Sequence, residues 1–187
     1  MPATRKSTNR VVYQLKITLR ESKPPIWRRI QVTDDTTLQD LHWILQIIMP
    51  WTNSHLHQFQ ADGEYYSDPE MEIEDALDET KVKIRDVVSG PKARFSYEYD
   101  FGDDWRHEIL VEKVLPADPA VEYPVCLAGK LACPPEDIGG MWGYYHFLHL
   151  INDPSNKEGK ELLEWVGGSF NPAEFDLELI NKTLHER

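Results

Sequence analysis

The chain has 187 residues, 41% of them hydrophobic and 28% charged, with 20 basic and 32 acidic side chains and a net charge of −12. That is the size and composition of one globular domain with a core of its own. It excludes a membrane span, because no run approaches about 18 apolar residues, and it excludes a uniformly basic nucleic-acid coat.

Residues 1–10 read as a flexible tail and residues 11–185 as a single domain. Tyr13, Leu15, Ile17 and Leu19 alternate with polar residues, the period of a half-buried strand. Ser22-Lys23-Pro24-Pro25 breaks it, and Ile26–Thr33 returns as a second strand with Ile26, Ile30 and Val32 on one face. Thr37-Leu38-Gln39-Asp40 has the form of a capping box. Leu38, Leu41, Leu45 and Ile48 follow at helical spacing, and Pro50 stops the helix. His55–Tyr66 reads as a hairpin turning at Asp62-Gly63. Val82–Val88 fits either a short strand or a turn of helix. Phe95, Tyr97, Tyr99 and Phe101 alternate with polar residues; a Gly102-Asp103-Asp104 turn leads to Trp105, His107, Ile109 and Val111. Pro116–Pro135 reads as loop. Three helices finish the chain: Tyr144–Ile151, one from a Ser155–Glu158 capping box to Val166, and one capped by Asn171-Pro172-Ala173-Glu174. The order is α+β: β-hairpins and a mixed sheet on one helix, a β-grasp-like arrangement among the topologies that fit, and a helical C-terminal part.

Charge is unevenly spread. Residues 1–33 hold eight basic side chains and one acid, whereas Asp62–Glu79 holds nine acids and no base. A solvated loop, or two lobes pairing across the fold, accounts for this. A basic edge for phosphates beside an acidic patch also does. Trp27-Arg28-Arg29 on the second strand could stack bases or grip phosphate. The alternative puts Trp27 in a core and pairs the arginines with acids.

No Gly-rich phosphate loop, HExxH, GxSxG or CxxC pair is present. His55 and His57, two apart on an expected strand, leave one face. With Asp103 and His107 they are candidate ligands for zinc, manganese or iron, ions that imidazole and carboxylate suit. Glu136 and Asp137 are the candidate catalytic carboxylates, as general base to a metal-bound water. The competing reading has these groups bond backbone and cap turns. Cys126 and Cys133 lack the tight spacing and second pair of a zinc knuckle. Two thiols without a disulfide framework fit a reducing cytoplasm, and MPATRKSTNR has no apolar stretch of a signal peptide. His42 and Asp100 read as buried polar groups or binding residues.

Taken in order, Pro25-Ile26-Trp27-Arg28-Arg29, Leu41-His42, Trp51 with His55-Leu56-His57 and Phe59, Tyr97–Asp103 with Trp105 and His107, and Cys133–Asp137 with Gly139-Gly140 and Gly143-Tyr144 resemble the plasmid ORF-3-like family, first named from a root-inducing plasmid. The resemblance covers roughly residues 11–180. It implies an α+β domain and brings no biochemical activity. Some relatives carry transposon-passenger or resolvase-like names. A serine recombinase needs an early nucleophilic serine in a doubly wound domain; here Ser7 lies in the tail and Ser22 in a turn, so that activity is rejected. Relatives commonly have a third cysteine where this chain has Ile138, which weakens a cysteine metal site.

Two functions remain. One is a cytoplasmic accessory or interaction module, linked to mobile elements, that binds a protein or nucleic acid through the basic hairpin and no membrane. The other is a metal-dependent hydrolase or nuclease.

Overall fold

The computed structural model describes residues 10–186. The expected tail therefore lies, apart from Arg10, outside the described residues.

Strands β1 (Val11–Leu19) and β2 (Trp27–Thr33) form the antiparallel hairpin that the alternation predicts. Leu15 and Ile17 of β1 and Ile30 and Val32 of β2 are fully buried. Arg28 has the parity of Ile30 and Val32 and turns inward with them. Helix α1 (Leu38–Ile48) starts at a reciprocal cap, Asp40 N donating to Thr37 Oγ1 at 3.0 Å and Thr37 N to Asp40 Oδ2 at 3.4 Å. Its apolar face, from Leu38 to Ile48, enters the same core as the inward strand residues.

Strands β3 (His57–Ala61) and β4 (Glu64–Ser67) turn at Asp62 and Gly63, both at positive φ, as a tight hairpin requires. The acidic stretch continues into a 3-10 turn at Pro69–Met71 and a two-residue strand β5 (Leu77–Asp78). The ambiguous 82–88 segment contains a single helical turn, α2 (Ile84–Val87). Strand β6 (Arg94–Tyr99) stops short of the reading, Phe101 lying exposed in the turn, whereas β7 (Trp105–Pro116) runs on past Val111, its pairing with β1 extending it.

The Pro116–Pro135 loop is a correction: it contains strand β8 (Val125–Lys130), which pairs with β2. Only Cys126 of this strand is buried, so its sequence shows no clear alternation and the prolines dominated the reading. Helix α3 (Gly140–Ile151) begins at Gly140 rather than Tyr144. Helix α4 (Lys157–Trp165) is capped by Asn156 Oδ1, which accepts from Gly159 N, not by Ser155. Helix α5 (Leu177–His185) is capped by Asp176; Asn171 instead holds a turn ahead of it.

The sheet has the order β5-β4-β3-β6-β7-β1-β2-β8 and is antiparallel except for β4 with β5. The α+β class and the helical C-terminal part stand. The β-grasp arrangement is not confirmed, since β1 lies between β7 and β2 and runs antiparallel to both. Helix α3 packs on α4, and α5 lies against β8 and α1. Asn181 of α5 bonds both backbone groups of Cys126 on β8.

Candidate functional site

Three segments converge at one end of the sheet: residues 52–56 before β3, the β6–β7 turn at 100–104, and residues 134–139 before α3. Each is bent sharply. Asn53, Asp100, Asp104 and Asp137 all have φ between 56° and 60°, a left-handed conformation that costs about 1 kcal/mol or more for a residue with a Cβ. Asp100 stabilises its turn itself, Oδ1 accepting from Gly102 N at 2.9 Å and Asp103 N at 3.3 Å. Asp103 Oδ2 accepts from Gly139 N at 3.1 Å and ties the turn to the third segment.

Glu136 fastens the first segment to the third. Its Oε2 accepts from Thr52 N at 2.9 Å and Thr52 Oγ1 at 2.6 Å, and its Oε1 from the Tyr99 hydroxyl at 2.5 Å. Burial, then the bond to Glu136, pushes the Tyr99 pKa well above its usual value. Trp51 Nε1 donates to Pro134 O at 3.0 Å. With three hydrogen bonds accepted, Glu136 braces the first segment against the third.

The segments bring His55, Asp100 and Asp137 together. His55 Nε2 lies 3.0 Å from Asp137 Oδ1 and 3.6 Å from Asp100 Oδ2. The imidazole is partly exposed, but this nitrogen is enclosed and makes no well-angled hydrogen bond. One donor atom from each residue falls within 4.8 Å of the others. Metal bonds of 2.0–2.2 Å subtending 90–110° put neighbouring donors about 2.8–3.6 Å apart. The His55 spacings fall in that interval. Asp137 is mostly exposed, so solvent reaches one side of the cluster.

The four residues expected to share a metal do not meet. His55 precedes β3 instead of sharing a strand face with His57. His57 is buried, with Nε2 3.0 Å from both oxygens of Glu79, itself fully buried. His107 is enclosed on β7 with no well-angled hydrogen bond from either ring nitrogen. Burial drives its pKa down to about 4 against the nearby Tyr97 and Trp105 carbonyls, which favour the proton. Asp103 is occupied with Gly139.

His42 on α1 belongs to a buried polar network. Gln46 Nε2 donates to the Tyr97 hydroxyl at 3.0 Å, and that oxygen lies 2.8 Å from His42 Nδ1. His42 Nε2 lies 2.9 Å from Asn53 Oδ1, and Asn53 N donates to Gln46 Oε1 at 2.9 Å. Every partner is satisfied when His42 carries its proton on Nε2 and accepts from Tyr97. Nothing in the sequence marked Glu79 among its acidic neighbours, or Asn53 and Gln46 as members of one network.

The basic hairpin is largely engaged within the fold. Arg28 is 2% exposed. Arg29 forms a two-pronged pair with Glu112, at 2.6 and 2.8 Å, and holds the Glu112 pKa down at about 2. Trp27 lies on the outer face beneath Lys16 and Arg29. Arg10 reaches Asp35 at 3.6 Å. The basic stretch thus pairs with acids elsewhere, Asp35 and Glu112, and among the described residues no ion pair joins it to Asp62–Glu79. Cys126 and Cys133 are buried free thiols. No described helix is long and apolar enough to cross a membrane.

A mixed eight-stranded sheet with a rim cluster of one histidine and two aspartates thus defines an α+β domain. Residues 11–179 match the family described as plasmid pRiA4b ORF-3-like protein, and the chain belongs to that family. It is 38% identical over 178 residues to the uncharacterized protein y4hQ of Sinorhizobium fredii, covering 94% of this chain and 91% of that one. It is similar in structure to MM3350, a protein of unknown function from Methanosarcina mazei Go1. There the TM-score is 0.83 at 37% identity, covering 91% of this chain and 98% of that chain.

Proposed function

We propose that this chain is a binding module whose working centre is a divalent cation held by His55, Asp100 and Asp137. One observation carries the reading: the buried His55 nitrogen lies at ligand-to-ligand distances from two carboxylates without a proper hydrogen bond to either. One imidazole and two carboxylates suit zinc, manganese or iron. Three protein ligands leave positions open for an anionic group of a partner or for water. An accessory role in the cytoplasm, beside mobile elements, belongs to the same proposal; the family's plasmid origin and the two free thiols support it.

Hydrolysis is the second reading. A cavity of about 510 Å³ adjoins the cluster and is lined by Trp51, Glu136, Asp137, Trp165 and Phe170. A cation there would acidify a bound water beside it. Since Glu136 is tied to Thr52 and Tyr99, binding ranks above catalysis. A nucleic acid gripped by the hairpin draws little support, because Arg28 is buried and Arg29 is paired.

The test is elemental mass spectrometry on protein purified without chelator and after soaking with each ion, followed by phosphoester assays of the loaded protein. About one ion per chain is expected, with Asp100→Asn and His55→Ala emptying the site while the circular dichroism stays native. No ion under any condition, or an unchanged content in both variants, would sink the proposal.

A further inference from the structure

Arg28 carries a full positive charge into the interior and meets no negative charge there. Its Nε donates to Ile48 O at 2.9 Å, and Nη1 to Trp27 O at 2.9 Å and Lys130 O at 3.1 Å. Nη2 donates to Cys133 Sγ at 3.1 Å. Among the described residues no carboxylate lies within ion-pair distance of the guanidinium. The three carbonyls are dipoles, one of them at the C-terminal end of α1, where the helix is partially negative. They soften the cost of burying a cation but do not neutralise it. Cys133 does not supply the anion either: burial holds its thiol pKa above the usual value although Arg28 lies beside it. Four bonds use four of the five guanidinium protons, so one Nη2 proton is left over.

Arg28 also lines a cavity of about 480 Å³, between α1, the start of α5 and the segment joining β8 to α3. That volume suits a small organic molecule. The walls are mostly apolar, with Trp51, Phe170, Phe175 and Ile180 contributing. Phe175 lies over the guanidinium, its ring centre 4.7 Å from Cζ. Gly129 makes this approach fit, since a Cβ there would come within 2.4 Å of the Phe175 ring. Glu174 and Asp176 also line the cavity and are exposed. Asp176 already caps α5. Two acids facing solvent select against an occupant with several negative charges.

We propose that this cavity binds a small monocarboxylate with an apolar body, its carboxylate on Arg28 and its body against Trp51, Phe170 and Phe175. The guanidinium supplies the charge-assisted bond, and the ring faces exclude water from it. The cavity shares Trp51 and Phe170 with the one beside the rim cluster but none of His55, Asp100 and Asp137, and binding there does not depend on a metal.

Octanoate and phenylacetate are the probes, with octanol and octylamine as matched controls, followed by calorimetry and thermal shift on the full chain. Octanoate is expected to bind one per chain. Octanol should bind at least about tenfold more weakly, the loss of one charged hydrogen bond. Arg28→Met should erase that difference. Should that variant fail to fold, Ala132→Trp, which fills the cavity from its wall, should abolish octanoate binding and leave the metal content unchanged. Failure of both carboxylates to bind, equal affinity for octanoate and octanol, or octanoate binding that survives Ala132→Trp would each overturn the proposal.

Discussion

The imidazole of His42 lies flat on that of His57, ring centroids 3.5 Å apart and planes within 7° of parallel. One ring comes from α1 and the other from β3, so the stack joins helix to sheet. His42 is held by Tyr97 and Asn53 on its edges and His57 by Glu79. Glu79 is the one member of the acidic stretch with no exposure at all.

Cutting that chain of contacts at one link should be costly. Glu79→Leu leaves a histidine facing an apolar wall, and His57→Leu strands a buried carboxylate. Each should lower stability by about 3–5 kcal/mol. The double variant should lose less than the sum of the singles. Urea unfolding of all four proteins closes the cycle; strict additivity would mean that the two groups do not interact.

His107 gives the fold a specific acid sensitivity. The unfolded chain binds a proton there near the ordinary value of 6.5, and the folded chain only near 4. Between those values the unfolded state holds more protons, so stability rises with pH and is lost as pH falls from 6.5 to 4. For this fully buried ring the loss amounts to about 3 kcal/mol. His107→Leu should remove that share of it, read as a smaller drop in unfolding free energy between pH 7 and pH 4. Parallel curves for the two proteins would clear His107 of the role.

Glu136 and His55 should separate by phenotype. Glu136→Gln weakens the tie from Thr52 and Tyr99 and should lower stability by about 1–3 kcal/mol with metal uptake retained. His55→Ala should do the reverse. Melting temperature and metal content, measured side by side, check both.

Gly143 is required by contact rather than by a turn. A Cβ there would sit 1.9 Å from Ile138 O. Gly143→Ala should therefore cost about 3 kcal/mol by forcing the first turn of α3 off the preceding loop. Chemical denaturation gives the number, and a loss under about 0.5 kcal/mol, the ordinary surface range, would mean that the loop yields freely.

Alternation and capping made most of the fold legible. The Thr37–Asp40 box and the Asp62-Gly63 turn are where the residues put them. The hidden elements lacked such marks: β8 lies between prolines, and α3 opens on glycines. Arg28 shares the parity of Ile26 and Ile30, but its charge argued for the outside; the strand's geometry prevailed. The rim cluster was half legible. Asp100, Asp137 and His55 each drew attention, but their grouping depends on three loops meeting in space. His57, by contrast, sits in β3, and the pleat turns it into the core with Phe59.

Asn181 has a consequence for life at high concentration. Strand β8 ends the sheet, and an unpaired edge of six residues is a template on which another molecule's strand can add. The Asn181 amide donates to Cys126 O at 2.9 Å and accepts from Cys126 N at 2.8 Å. A neighbouring strand would make the same pair of bonds. One side chain on α5 thus imitates a ninth strand at mid-edge and closes it to growth, so Asn181→Ala should aggregate at concentrations where the parent chain stays dispersed, as light scattering would reveal.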